Sequence, residues 1–591
     1  MDDQRLELLA RAFSVRESDP RLAAELFASA GPGPILEQAR LAAWYRTLES
    51  HLGDSRNWRA FLESRPPGRL ADAATLALGR ALATEGDREA ATAVLLEAPG
   101  SIRSEADLEL LEIADATTAA GAARRLATDA PDLLRRHSRD LEKTTMATLT
   151  DLELLDRAAG WRRAGLGSRG AGELRSRRFR GELETARRKE LARCELDAGS
   201  TTRCLNALPA LSTSDAEALV LRAEAYRRRG WGTFPDPSAG TAFATCLDVA
   251  SEVRSDDPAT REEALALVLE CGTESGRIDQ ALAAWRRLEA LGWDHPRRGW
   301  LGRRLGVAVA RGGADDRVVE GLATALPQHE RCLRFWQSVA RSDAGTLNDL
   351  SSAPIHDLYG RWASLDVPDS ERLPYTPADP VGAADPTPAV AWLLDNAGPS
   401  EASAEWQRLF DLRRPTRSEA LAAAALAEHT GRANTAIRMV LAGFPDIAST
   451  AIADSPVDAV AAYLPLRYAD HLVAAADRSG LDPWVLAALA RQESTFIAHA
   501  RSPAGARGVL QLLPSTARMH SRALGLGSRP DLEDPAINIR LGARELAILI
   551  RKYGALEPAL AAYNAGERRV RRWWRRWPDP RVFSESVPIP E

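Results

Sequence analysis

The sequence lacks the features that mark a membrane protein or a β-sheet protein. No stretch of about 20 apolar residues occurs anywhere, so no transmembrane helix is predicted. Aromatic residues make up only 6% of the chain, and no window alternates apolar and polar residues as a half-buried strand does. Ala, Leu and Arg dominate instead. This composition predicts an all-α fold.

Cysteine is also scarce, with five residues in the chain: Cys194, Cys204, Cys246, Cys271 and Cys332. They lack the paired close spacing of a zinc site, so no metal is expected. An oxidising compartment would allow a disulfide between Cys194 and Cys204, or between Cys246 and Cys271, and the sequence leaves both open. The N-terminus has no basic region followed by an apolar run, so no export signal is visible.

The formal net charge of -5 indicates no particular partner, but its distribution is uneven. Residues 461–591 contain 19 Arg and Lys against 13 Asp and Glu, a net charge of +6. The residues before them therefore have a net charge of -11. A basic C-terminal part favours an anionic ligand.

At 591 residues the chain is too long for one hydrophobic core, so several domains are expected. Residues 1–366 form a succession of short amphipathic segments separated by Gly, Pro, Asp or Ser. Pairs such as 264–269 and 278–288 are similar to tetratricopeptide-type units, although no regular period is present. Each pair must stack on its neighbours to bury its apolar face, which predicts a superhelical α-repeat domain.

The clearest boundary lies between residues 367 and 388, where six prolines exclude a continuous helix. Residues 389–456 then predict a small helical linker domain. The remaining residues, 457–591, form the last predicted domain.

A helix in this last domain ends in an unusual acid. Asp482 is a good N-cap and Pro483 suits the first helical position. Helical spacing from Leu486 and Leu489 then places Glu493 on the face that points to the core. Partial burial would raise the pKa of this carboxyl and allow it to donate a proton near neutral pH. Taken alone, the helix favours the alternative that Glu493 turns towards solvent, because charged residues are rarely buried.

Three further motifs follow Glu493-Ser494. The segment Ser502–Pro514 is rich in Gly and Pro yet apolar, which is typical of a loop packed against a cleft, and its Gln511 supplies an amide. Asp534–Gly542 opens a helix with an Asp-Pro start signal. Ala562–Gly566 places a phenol and an amide just before a helix-stopping glycine.

Together, and in this order, the four motifs resemble the catalytic domain of the soluble lytic transglycosylases, relatives of goose-type lysozyme that cleave peptidoglycan. The family has a Glu-Ser pair, a Gly-rich segment containing Gln, an Asp-Pro-x-x-Asn-Ile-x-x-Gly helix and Ala-Tyr-Asn-Ala-Gly. The resemblance extends to the architecture, because these proteins carry a ring-forming superhelix and a linker domain ahead of a lysozyme-like α domain. It implies that Glu493 is catalytic.

The resemblance also implies a mechanism without a cofactor. Glu493 would protonate the oxygen of the β-1,4 bond between N-acetylmuramic acid and N-acetylglucosamine. It would then remove the proton of the muramyl 6-hydroxyl as a 1,6-anhydro product forms. Tyr563 would bond and orient Glu493. The residues expected to contact substrate are Ser494, Ser502, Gln511, Leu513, Asn564 and Glu585.

The chain departs from the family pattern in three places, of which Glu567-Arg568-Arg569 after Gly566, in place of the usual Pro-Gly-Arg, is expected to have a local effect. Leu510 and Leu513 replace the methionines that commonly flank the glutamine, which keeps an apolar floor without the thioether. The closing helix that normally follows the segment of Glu585 is not expected, because the chain stops at Glu591. We therefore expect Glu585 to line a shortened wall of the site.

The run Arg568–Trp577 combines arginine and tryptophan as some nucleic-acid sites do. Its apolar residues Val570, Trp573 and Trp577 fall at helical spacing, so a helix with an apolar stripe and an arginine face is the simpler interpretation. No nucleic-acid partner is therefore expected. In the family this helix borders the glycan cleft.

Two other functions are considered beside a lytic transglycosylase. The first is a lysozyme-like hydrolase of the same bond, and the second is a helical-repeat scaffold that only binds glycan. The expected partner is the peptidoglycan glycan strand, and the expected form is a monomer that does not span a membrane. The substrate implies the periplasm, although the chain shows no signal peptide.

Overall fold

The computed structural model describes residues 3–33, 36–208, 215–234, 236–312, 316–352, 359, 381–447, 455–502 and 504–587. In these residues the chain consists of helices and turns, with isolated bridges in the segment 501–512 and no strand. The predicted all-α class is confirmed. No helix among them combines the length and the apolar character needed to cross a bilayer.

The first compact unit comprises Met1–His295. Its helices pack mainly on their neighbours in chain order, as expected of stacked helical repeats. In order they are Asp3–Val15, Pro20–Ser29, Glu37–His51, Ser55–Glu63, Gly68–Thr84, Arg88–Leu96, Arg103–Ile113, Ala116–Asp129, Pro131–His137, Arg139–Met146, Asp151–Arg163, Gly167–Arg175, Glu182–Asp197, Thr201–Ala207, Ala216–Thr233, Pro237–Ser251, Pro258–Glu274 and Ile278–Ala290.

The cysteines of this unit lie in its core. Cys246 and Cys271 are fully buried and joined by a disulfide that links two consecutive helices. Cys194 and Cys204 are buried free thiols, and burial raises the pKa of each to about 12. Of the two bridges that the sequence left open, the structure therefore contains the one between Cys246 and Cys271.

The second compact unit comprises Pro296–Glu591. Its helices are Arg298–Arg311, Asp316–Ala325, Glu330–Arg341, Ala344–Ser352, Pro388–Asn396, Pro399–Leu412, Arg417–His429, Ala433–Gly443, Val457–Tyr463, Ala469–Ser479, Pro483–Ser494, Pro514–Ser521, Pro535–Tyr553, Leu556–Ala565, Glu567–Arg576 and Pro580–Ser586. The predicted domain boundaries at 366, 388 and 456 stay predictions. Residues 367–380 of the proline-rich segment lie outside the described residues, and residues 381–387 are not helical.

Local signals begin and end the helices that position the candidate site. The Asp482 carboxylate accepts the N–H two residues on at 2.8 Å and begins the helix Pro483–Ser494. Asp534 accepts the N–H three residues on at 3.1 Å and begins the long helix Pro535–Tyr553. Gly554, with a φ of 71°, ends that helix in the left-handed conformation that glycine adopts without strain.

The helix Glu567–Arg576 has the predicted apolar stripe. Val570 and Trp573 are buried, while the arginines of the same helix face outwards. The structure thus supports the interpretation of this run as an amphipathic helix.

Candidate active site

Glu493 lies in the last turn of the helix Pro483–Ser494 and is half-buried. Leu486, Leu489 and Ala490 on the same side of the helix are buried, as the helical spacing predicts. The carboxylate is therefore carried at the border of the core, where hydration is reduced but access is retained.

The chain reverses direction directly after this helix. Thr495 and Phe496 both have left-handed backbone angles, with φ of 52° and 59°. Such angles are rare outside glycine and cost about 1–3 kcal/mol each. Phe496 is only 2% exposed, so burial of its ring holds the reversal in place. Neither residue is glycine or asparagine, so no local sequence signal predicts this turn.

Ser494 joins the end of this helix to the following loop. Its hydroxyl donates to the Val509 carbonyl oxygen at 2.7 Å and accepts the Ile497 N–H at 3.1 Å. The residue is 8% exposed. The hydroxyl that was expected to contact substrate is thus engaged with backbone in the interior, where it fixes the segment that carries Glu493.

Asn538 organises the cleft loop, residues 495–513, from the long helix. This side chain is fully buried; its oxygen accepts the Leu510 N–H at 2.7 Å, and its nitrogen donates to the carbonyl oxygens of Arg507 and Leu532, each at 3.0 Å. Gly508 packs so closely against Asn538 and Leu532 that a Cβ there would collide with both. The sequence identifies Asn538 only as part of a motif. Its role in holding the loop could not be predicted, because its partners lie up to 31 residues away.

Gln511 is half-buried and has a left-handed φ of 43°. Its amide nitrogen donates to the carbonyl oxygens of Gly508 at 2.9 Å and Ala500 at 3.1 Å. These bonds orient the side chain within the loop. Only the amide oxygen is left for a ligand, which narrows the expected role of this residue to that of an acceptor.

Tyr563, on the helix Leu556–Ala565, lies beside the cleft loop. Its hydroxyl donates to the Leu510 carbonyl oxygen at 2.8 Å. Burial raises the pKa of Tyr563 well above its usual range, and the negative charges of Glu493 and Glu545 raise it further. The phenol therefore stays protonated and within electrostatic range of Glu493, while the hydrogen bond we observe from it goes to Leu510.

Gly542 makes room for this arrangement. A Cβ at this position would lie 2.9 Å from the Leu510 Cβ and 3.0 Å from the Tyr563 hydroxyl, closer than such contacts allow. Glycine in the middle of a helix otherwise costs about 1 kcal/mol relative to alanine. Close packing thus explains a glycine that lowers local helix stability.

The other predicted contact residues are more accessible. Leu513 is 41% exposed, whereas Leu510 is fully buried, so only Leu513 offers an apolar surface to a ligand. Asn564 is exposed on the helix of Tyr563. Ser502 is half-buried, and its hydroxyl accepts the Ala506 N–H at 3.1 Å. Among the described residues no cluster of His, Cys, Asp or Glu is arranged to hold a metal ion.

The long helix Pro535–Tyr553 carries a second carboxylate, Glu545, whose negative charge also acts on Tyr563. Its partner is His520, which is 7% exposed and hydrogen-bonds it through Nε2 at 2.5 Å. The two acids near Tyr563 therefore have different surroundings. Glu545 is hydrogen-bonded to a buried imidazole, whereas Glu493 lies at the end of its helix beside the cleft loop.

Comparison with known proteins identifies the domain that contains this site. Residues 471–580 match the Transglycosylase SLT domain, and this range contains Glu493, the cleft loop and Tyr563. Residues 471–580 of the chain thus form a Transglycosylase SLT domain. The predicted family resemblance is confirmed.

Curated relatives match part of the chain. The chain is 38% identical over 127 residues to a putative soluble lytic murein transglycosylase of Haemophilus influenzae, covering 21% of this chain and 21% of the relative. It is 30% identical over 210 residues to the soluble lytic murein transglycosylase of Salmonella typhimurium, covering 34% of this chain and 30% of the relative. The matches thus span less than a third of these relatives.

The fold resembles the same family over nearly the whole chain. The crystal structure of the 70 kDa soluble lytic transglycosylase SLT70 of Escherichia coli matches with a TM-score of 0.54 at 17% identity, covering 99% of this chain and 94% of that chain. A lytic transglycosylase Slt of Pseudomonas aeruginosa matches with a TM-score of 0.57 at 22% identity, covering 99% and 93%. At these identities the likeness concerns the fold.

Glu585, one of the predicted site residues, is buried in the structure. Glu585 is 6% exposed. It pairs with Arg303, and it accepts the Tyr359 hydroxyl at 2.8 Å and the Trp336 indole N–H at 3.2 Å. A buried carboxylate needs such a counter-charge, and Arg303 lies 282 residues earlier in the chain. This burial and these partners argue against a substrate contact by Glu585, and its expected role stays a prediction.

Proposed function

We propose that the protein is a peptidoglycan lytic transglycosylase. It cleaves the β-1,4 bond between N-acetylmuramic acid and N-acetylglucosamine without water and leaves a 1,6-anhydromuramyl end. The observation that carries this proposal is the half-buried Glu493 at a helix end within the SLT domain, next to a protonated Tyr563. Relatives named soluble lytic murein transglycosylase support the substrate class.

In this mechanism Glu493 first gives its proton to the glycosidic oxygen as the C1–O bond breaks. The muramyl 6-hydroxyl oxygen then bonds to C1, and its proton passes to the Glu493 carboxylate. The nucleophile comes from the substrate, so the second carboxylate of the usual glycosidase pair is not required. The pairing of Glu545 with His520 fits this single-acid scheme.

The remaining residues have positioning and binding roles in this proposal. Tyr563 and Ser494 hold the loop and helix that carry the acid, since their hydroxyls donate to Leu510 and Val509. Leu513 and Asn564 contact the glycan from the accessible surface. The partner of the protein is the peptidoglycan glycan strand in the periplasm. The protein acts as a monomer and needs no cofactor.

Digestion of purified peptidoglycan followed by mass spectrometry tests the proposal. We expect 1,6-anhydromuramyl products, and we expect Glu493→Gln to lose at least about a hundredfold in activity, because general acid–base catalysis contributes that much or more. Reducing muramyl ends in place of anhydro ends would support a hydrolase instead. If the unaltered protein bound peptidoglycan but released no product, the result would support the alternative of a scaffold that only binds glycan.

A further inference from the structure

Four arginines line a small cavity of about 110 Å³ in the second unit. Arg540, Arg544 and Arg551 come from the long helix Pro535–Tyr553, and Arg478 comes from the helix Ala469–Ser479 packed beside it. Among the described residues that line the cavity there is no Asp or Glu. Four positive charges thus surround one cavity that has no acidic side chain on its walls.

This cavity is separate from the candidate active site. At 100° per residue, Arg540, Arg544 and Arg551 fall on one side of the long helix. Gly542, which contacts Leu510 and Tyr563, lies about 200° around the helix from Arg540. The arginines therefore occupy the face opposite the one that organises the cleft loop.

The arginines of the cavity also lack the counter-charges that two other arginines of this unit have. Arg408 pairs with Glu405, and Arg413 pairs with Glu419. In the described part of the chain none of the four cavity arginines forms an ion pair with a carboxylate. The Nε atoms of Arg540 and Arg544 are buried and have no hydrogen-bond partner there. Buried donors without acceptors and clustered like charges both cost stability.

A small oxyanion would remove both costs. Guanidinium groups bind phosphate through paired, charge-assisted hydrogen bonds, and a planar fork can place two donors on one anion. Four arginines around so small a volume match a compact dianion with acceptor oxygens on every side better than a carboxylate, which has one charge and one acceptor edge. We propose that this cavity is a binding site for a phosphate group.

The proposal does not depend on the glycan chemistry at Glu493, and binding can be measured without turnover. Isothermal titration calorimetry of the full chain with inorganic phosphate, in phosphate-free buffer at fixed ionic strength, should show one saturable site per chain. Arg540→Gln and Arg544→Gln should each weaken binding at least about tenfold, because each removes a charge-assisted hydrogen bond. Arg414→Gln, at an exposed arginine outside the cavity, should leave the affinity unchanged.

Two further ligands define the chemistry. Acetate should bind at least about tenfold more weakly than phosphate, and equal or tighter acetate binding would overturn the assignment to phosphate. Glycerol phosphate separates the sources: affinity equal to that of phosphate supports a phosphate ester as the ligand, and clearly weaker binding supports the free ion.

Folding of the variants must be checked by circular dichroism. Arg551 is exposed, so Arg551→Gln should fold even where Arg540→Gln does not, and it should also weaken phosphate binding. The proposal would be overturned if the unaltered chain showed no saturable phosphate binding. It would equally be overturned if folded Arg540→Gln and Arg551→Gln chains bound phosphate as tightly as the unaltered chain.

Discussion

Gly542→Ala should separate helix stability from the geometry of the site. Alanine would gain about 1 kcal/mol from its higher helix propensity. Its Cβ, however, would lie 2.9 Å from the Leu510 Cβ and 3.0 Å from the Tyr563 hydroxyl. Overpacking of this kind costs about 1–3 kcal/mol. We therefore expect a net loss of about 0–2 kcal/mol in the free energy of unfolding.

Activity should fall more than stability in this variant. Displacement of Leu510 or Tyr563 would disturb the 2.8 Å hydrogen bond between them and move the loop that faces Glu493. Small misplacements near reacting groups cost about a hundredfold in rate, so we expect a loss of roughly ten- to a hundredfold in turnover of peptidoglycan. Urea unfolding gives the free energy of unfolding, and the release of soluble products from peptidoglycan gives the turnover, both measured on the same preparation.

Gly321→Ala is the matched control. Gly321 lies in the helix Asp316–Ala325, and a Cβ there would meet no atom within 4 Å. This variant should gain about 1 kcal/mol and keep full activity. If Gly542→Ala gained as much stability as Gly321→Ala and remained fully active, the close-packing explanation for Gly542 would be wrong.

Three further substitutions test other parts of the structure. Asn538→Ala should lower the free energy of unfolding by about 3 kcal/mol, measured by urea denaturation, because it leaves buried backbone groups of the cleft loop without partners. Thr495→Gly should raise it by about 1 kcal/mol, since glycine adopts the φ of 52° without strain; a loss would show that the threonine side chain stabilises the turn. The hydrogen bond from Arg124 lowers the pKa of Glu153 from 4.5 to about 2. The contribution of ionised Glu153 to the free energy of unfolding is therefore present above about pH 4.5 and is lost as the pH falls towards 2. Glu153→Gln should therefore shift the urea midpoint at pH 7 but not at pH 2, and an equal shift at both values would contradict the linkage.

Helix boundaries could be predicted where the determining signal is local. Asp482 with Pro483 begins one helix, Asp534 begins another, and Gly554 ends it, as their capping chemistry implies. The turn at Thr495 and Phe496 could not be predicted in this way, because both residues disfavour the left-handed conformation that burial of Phe496 enforces.

Contacts between distant parts of the chain explain the other features of the site that could not be predicted from the sequence. The hydrogen bond between Asn538 and Leu510 joins residues 28 positions apart, and the pair of Arg303 and Glu585 joins residues 282 apart. No periodicity or motif specifies such partners. A motif can therefore identify Glu585 as an acid near the end of the domain, while its burial depends on a cation from another part of the fold.

The long helix Pro535–Tyr553 links the two proposals and also keeps them separable. One face carries Asn538 and Gly542, which fix the cleft loop, and the opposite face carries Arg540 and Arg544. Because the two sets of residues lie about 200° apart around the helix, a substitution on the arginine face should change phosphate binding and leave anhydro product formation intact. Loss of both by Arg544→Gln would instead mean that the helix moves as a unit, and that phosphate binding supports the site through the position of Asn538.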